Sequence, residues 1–316
     1  MESSTDNFYV YRYSLIKESQ TDLFIHDLPS TKGSIVREAI FNDAEFSLRG
    51  TRYSFVGFSD VPYLSSTKEE ESRYIVGKLA KLREAHVGEK VPGDIIERIA
   101  DDWLPIVVVF DTQEQFIFVQ KSWKFGGESL IKNALQQGLR SPILAKYNYR
   151  IFVEVKTEQS EFWSLVESHN KIYRLELKLI SPNILNTNKK ARELLEELQD
   201  IYGQDEVSMT LESESGSLDV PKDVVEDYID YISEGEGQWA LMTEGAHGGK
   251  KKHSSLSAPV TLDIESVSHE EGELQSEGQL ELSTGQIAPE RQSSDTRLVA
   301  ELFEKTRALI RKEQND

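Results

Sequence analysis

Two segments near the middle of the chain, YRIFVEVK (149–156) and YRLELKLI (173–180), are near-copies, and they constrain the fold more than any other feature. Each alternates apolar and polar residues: Ile151, Val153 and Val155 in the first, Leu175, Leu177 and Leu179 in the second. A side-chain period of two belongs to a strand with one buried and one wet face. Between them a helical stretch near 160–169 offers Phe162, Leu165 and Val166 to a sheet. The interval is long enough for the crossover that a parallel pair requires, so the unit reads as β-α-β. The pattern predicts an α+β chain. Its sheet is mixed, or split into two related half-sheets, with helices mainly on one face and a polar sheet face open for binding.

The flanking segments extend this reading. FYVYRYSL (8–15) is an opening aromatic strand, and IVREAIFN (35–42) and EFSLRGTRYSFVGFSD (45–60) follow in the same series. Gly50 marks a turn or bulge in the latter. SSTKEEESRYIVGKLAKLREA (65–85) reads as a helix with Tyr74, Ile75, Leu79 and Leu82 as its stripe, and 95–103 as a short helix stopped before Pro105. IVVVFD (106–111) is a buried central strand, turned by TQEQ into FIFVQK (116–121). A helix over 128–138 ends near Gly138. After the repeated unit come a helix near 188–203, a strand at 206–211, a helix at 220–232 and strands at 238–244 and 258–264. The predicted division is an N-terminal α+β domain over 1–145 and a second domain over 146–265. An acidic disordered linker over 266–293 and an amphipathic helix over 294–316 complete it. Leu298, Leu302, Phe303, Leu309 and Ile310 form the apolar face of that helix, available to the chain's own body, a protein partner or a second copy.

Charge narrows the function classes. The chain carries 55 acids against 36 Lys and Arg, a net −19, so long-range attraction to nucleic acid must come from a local basic strip. There are no cysteines, which excludes disulfides and thiolate metal sites and fits a reducing cytoplasm. No apolar run approaches the ~20 residues that span a bilayer, so no membrane insertion is expected. The one dense basic cluster is AHGGKKKHSS (246–255), in which Lys250, Lys251 and Lys252, with His247 and His253, can meet phosphates. FVQKSWKFGGES (118–129) interleaves Lys121, Trp123, Lys124 and Phe125, a pattern suited to base stacking and backbone tracking, and equally to capping the hairpin core.

Glu154-Val-Lys156 and Glu176-Leu-Lys178 match the acid-x-lysine strand of a metal-dependent nuclease. That chemistry needs a second carboxylate, and none follows Glu128 before Arg150. Paired solvated strands account for the same residues. No catalytic residue, metal or cofactor is expected.

The element order is similar to that of a group of bacterial and phage proteins from mobile elements, and to the DNA-binding component of the lambda Rex phage-exclusion system. The opening strand FYVYRYSL, the hairpin IVVVFDTQEQFIFVQKS, the strand–loop EGQWALMTEGAHGGKKKHSSLSAPV and the closing helix carry this resemblance. It implies a cytoplasmic component of phage defence that senses DNA or RNA beside a separate effector. The expected function is therefore nucleic-acid binding or sensing, with an interaction or homo-oligomerisation role for the C-terminal helix as the alternative and a nuclease as the third.

Overall fold

A computed structural model describes residues 5–17, 32–41, 44–61, 73–180, 189–245, 248–265 and 289–315. The opening aromatic run is β1 (Thr5–Lys17). The next element, α1 (Lys32–Ile40), is a helix and not a further strand: Ile35, Val36, Ala39 and Ile40 recur at helical spacing and are all buried. β2 (Ala44–Leu48) and β3 (Thr51–Val61) form a hairpin. Its turn residues Arg49 and Gly50 both have positive φ, 51° and 82°, as a type I′ turn demands.

β4 (Tyr74–Val91) and β5 (Asp94–Asp111) pair along their whole length. This corrects the two helices expected there. β4 is central over its first half, with Tyr74 and Val76 in one core and Ile75 and Leu79 in the opposite one. A strand covered on both faces is apolar almost throughout, and residues four apart share a face in strand and helix alike. Pro105 is tolerated because β6 (Phe116–Gln120) joins β5 only from Val108 onward, so no ladder bond is lost on that side.

Helix α2 (Glu128–Tyr147) runs through Gly138 instead of ending there. A Cβ at that position would lie 2.5 Å from the Phe46 ring and 2.6 Å from the Phe55 ring, so the glycine serves close helix–sheet approach. β7 (Tyr149–Val155), α3 (Gln159–Ser168) and β8 (Ile172–Ile180) follow. Then come α4 (Lys189–Tyr202), β9 (Glu206–Glu212), α5 (Lys222–Tyr231) and a π-helical turn (Ile232–Glu236). β10 (Gly237–Glu244), β11 (Lys250–Ser254), β12 (Thr261–Glu265) and α6 (Pro289–Asn315) close the order.

The fold is α+β with two antiparallel sheets. The larger runs β12-β1-β6-β5-β4-β3-β2, with β7 also on β1; the smaller runs β11-β10-β8-β9. The near-copies are therefore not a β-α-β pair. β7 lies antiparallel to β1, from Tyr11↔Val155 to Lys17↔Tyr149, whereas β8 sits between β10 and β9 in the other sheet. Each copy found a better partner than its twin, and α3 carries the chain from one sheet to the next. Only β8 keeps a wet face; Glu154 of β7 and Lys156 just after it are buried. The segment 146–265, read as a second domain, contributes β7 and β12 to the larger sheet.

One face of the larger sheet packs on α1 and α2 through Ile35, Val36, Ile131 and Leu135. Its other face holds Phe8, Val10, Val76, Val109 and Phe118 under Leu298, Val299 and Leu302 of α6. The smaller sheet buries Leu175, Leu177, Trp239 and Leu241 against Phe162, Leu195, Val225 and Ile229 of its helices. Residues 266–288, most of the expected linker, lie outside the described residues. Among the described residues no helix is long and apolar enough to cross a membrane.

Candidate nucleic-acid interface

β11 begins after a glycine-rich connection and offers its lysines to solvent: Lys250, Lys251 and Lys252 are all exposed. Among the described residues it is an edge strand, paired with β10 alone, from Ala240↔Ser254 to Glu244↔Lys250. Strand alternation divides the triplet. Lys251 and His253 oppose Thr243 and Leu241, whose side chains are buried in the helix-covered face; Lys250 and Lys252 share the open face with Glu244 and Met242. Arg174, Glu176 and Lys178 of β8 continue that open face.

The open face is laced with ion pairs. Lys252 Nζ lies 3.4 Å from Glu176, Arg174 bridges Glu176 at 2.6 Å and Glu212 at 2.9 Å, and Lys178 meets Glu206 at 2.7 Å. These are exposed pairs, each of small net worth and readily exchanged for another anion. Lys250 Nζ stands 4.5 Å from the centre of the Tyr173 ring. His253 accepts or donates at Nε2 toward Thr243 Oγ1 over 3.1 Å and lies edge-on to His169. Burial, then Lys251 and His169, lower its pKa, so the strand's positive charge at neutral pH is that of its lysines. His247 lies outside the described residues.

The second predicted group stands on the other sheet, in the connection from β6 to α2. Phe125 is buried and anchors that loop, with Lys81 Nζ donating to its carbonyl over 3.0 Å. Trp123 is 87 % exposed, and Lys124 Nζ lies 5.9 Å from its ring centre. Lys121 packs over the Tyr9 ring at 5.6 Å. The motif divides between two surroundings: Phe125 caps the core, and Trp123 with Lys124 faces water.

The two acid-x-lysine motifs do not assemble into one site. Glu176 and Lys178 are the ion-paired surface residues of β8. Glu154 and Lys156 lie in a buried junction between the sheets, which sequence reading missed. Glu154 is bound by Lys132 Nζ and by Gln238 Nε2, each at 2.7 Å. Burial raises its pKa, opposed by Lys132 and Gln238. Arg12 of β1 donates to the Glu234 carbonyl over 3.0 Å and stands 3.5 Å from Glu236; Ser14 Oγ donates to Glu236 over 3.1 Å. Lys156 Nζ is 3.7 Å from Glu234. Gly235, at φ 84°, admits this approach, since a Cβ there would lie 2.6 Å from Arg12 Cβ. The junction is charge-balanced; among the described residues no group of three or more His, Cys, Asp or Glu is placed to hold a metal ion. No local pattern could have revealed it, because Arg12 and its acids are more than 200 residues apart in sequence.

The residues expected to dock α6 onto a partner are engaged at home. Leu298 and Leu302 are buried, and Phe303 and Leu309 pack against the same cluster. Arg73, bound to the buried Asp111 at 2.6 Å, lies over the Phe303 ring. Glu301 accepts the Glu265 amide of β12 at 3.0 Å. The Ile310 side chain lies outside the described residues.

No curated protein matches the chain. A family profile described as "Domain of unknown function (DUF4747)" matches residues 106–280, more than half of the sequence, and that span holds β11, the Trp123 loop and the Glu154–Lys156 strand. The chain belongs to the DUF4747 family.

Proposed function

We propose that this protein is a cytoplasmic nucleic-acid-binding or sensing component of a bacterial anti-phage system, acting by binding rather than catalysis and passing its signal to a separate effector protein. One observation carries the binding part of this reading: three consecutive lysines stand exposed on an edge strand of an otherwise acidic chain. Arg174 and Lys178 on the open face beside them extend the cationic strip, held by carboxylates that a phosphate can displace. Trp123, with Lys121 and Lys124, supplies a second contact suited to an unpaired base. The defence context rests on the resemblance in element order to phage-exclusion proteins.

The test is fluorescence-anisotropy titration against labelled double- and single-stranded DNA and RNA, at about 50 and 200 mM salt, where phosphate contacts weaken steeply. Replacing Lys250, Lys251 and Lys252 by Ala is expected to weaken binding evenly across sequences and to reduce the slope of log affinity against log salt by about 2–3. Trp123→Ala is expected to weaken single-strand binding alone, by about 1–3 kcal/mol. An affinity and slope unchanged by the triple substitution would overturn the assignment.

A further inference from the structure

The far half of the β4–β5 hairpin is built without a core. From residue 83 to residue 101 no side chain is buried. Among the described residues β4 has no partner but β5 beyond the Lys81↔Tyr53 pair, and β5 gains β6 only at Val108. Two strands alone in water are marginal, yet this arm carries Val87, Ile95, Ile96 and Ile99 at 51, 67, 45 and 67 % exposure. Both edges offer unpaired backbone groups, the template for strand addition.

The charges of the arm say which strand fits. Arg83 binds Asp102, and Arg98 binds Glu89 at 3.0 Å, each across the hairpin. Glu84 and Lys90 lie together on the opposite face of β4 and form no ion pair among the described residues. We infer that the β4 edge pairs antiparallel with the β4 edge of a second copy about a two-fold axis at Val87. That register sets Glu84 opposite Lys90 of the copy, and the reverse, and Val87 opposite Val87. His86 faces Gly88, Ala85 faces Glu89 and Arg83 faces Val91, so no like charges oppose. Moving the axis to His86 opposes that histidine to itself, and moving it to Gly88 opposes His86 to Lys90. On the β5 edge an axis at Glu97 opposes two glutamates. The contact is isologous and closed, which limits assembly to a dimer. An arm of some ten residues reaches about 30 Å, which holds the two acidic bodies apart and lessens their repulsion.

Sedimentation of the full chain tests this. The wild type is expected to dimerise; Lys90→Glu, which opposes glutamates at two symmetric positions, is expected to raise the dimer dissociation constant about tenfold. The double variant Glu84→Lys with Lys90→Glu is expected to restore it. Because the chain has no cysteine, Val87→Cys offers a second readout: directly opposed Cα atoms about 4.5–5.5 Å apart lie within the span of a disulfide, so it forms an intermolecular bond much faster than Ile96→Cys does. A monomeric wild type, a dimer indifferent to Lys90→Glu, or equal crosslinking at positions 87 and 96 overturns the inference. All substituted positions are exposed, so loss of dimer in a variant with an unchanged circular dichroism spectrum reports the contact and not the fold.

Discussion

Asp230, half-buried on α5, stands among carboxylates. Burial first, then Glu226, Asp227 and Glu234, raise its pKa from 3.8 to about 6, with Lys222 opposing. The folded chain therefore holds this proton more tightly than the unfolded chain does. The resulting stability is fully present below about pH 4 and is lost as pH rises through about 6. Asp230→Asn removes that dependence. Urea midpoints across pH should show a flatter curve between about pH 4 and 6 and, after allowing for solvent screening, about 1 kcal/mol more stability at pH 7. A variant that keeps the wild-type slope would refute the assignment. At this scale the sequence was informative wherever one local rule decided the outcome. Val225, Ile229 and Ile232 are buried as the period of α5 implies, and the three adjacent lysines of β11 are exposed, as three consecutive charges require. Val224, expected inward with them, is exposed, since one step along a helix turns the side chain by about 100°. The ion pairs of the sheet junction were illegible, because each joins residues far apart in sequence that only the folded topology brings together.

Elements were read well where a single period applied and poorly where two coincided. The β5–β6 hairpin follows from its buried apolar runs and the TQEQ turn, in which Asp111 accepts the amides of Gln113 and Glu114 at 3.1 Å. β4 and β5 were mistaken for helices because their inner halves are covered on both faces and their outer halves on neither. Neither half shows the strict alternation of a half-buried strand. α6 was legible as an amphipathic helix, and its covering partner was not. Since Leu298, Val299 and Leu302 close the second face of the larger sheet, ending the chain at residue 288 uncovers Phe8, Val10, Val76 and Phe118 as well. At about 1.5–3 kcal/mol per fully buried side chain, the truncated protein should lose about 5 kcal/mol, seen as a large fall in the urea midpoint. A midpoint equal to that of the full chain would show that α6 is not part of this core and would return its apolar face to the interaction role.

At the scale of the molecule, the two sheets are joined less by apolar contact than by charge. Ile16, Phe152 and Ile180 form a small apolar bridge, and beside it Arg12 ties β1 to the π-helical turn that leads into β10. The turn is kinked at Gly235, whose φ of 84° lets Glu234 and Glu236 on either side approach one guanidinium. A buried pair adds little net stability compared with apolar packing, but removing one partner strands the other charge and costs about 3–5 kcal/mol. Arg12→Ala should therefore loosen the smaller sheet from the larger one. With Trp103, half-buried on β5 of the larger sheet, replaced by Phe in both proteins, fluorescence reports the smaller sheet, because Trp163 and Trp239 lie in its core while Trp123 is already in solvent. In the wild type, tryptophan fluorescence and far-ultraviolet circular dichroism should follow one urea transition, as a single cooperative unit requires. In Arg12→Ala the fluorescence transition should move to lower urea and separate from the dichroism transition, which is dominated by both sheets together. Coincident curves at an unshifted midpoint would mean that the apolar bridge alone couples the sheets and that the junction is held for another purpose. Separation would mean that a charged clasp, rather than a continuous core, couples the smaller sheet to the larger one.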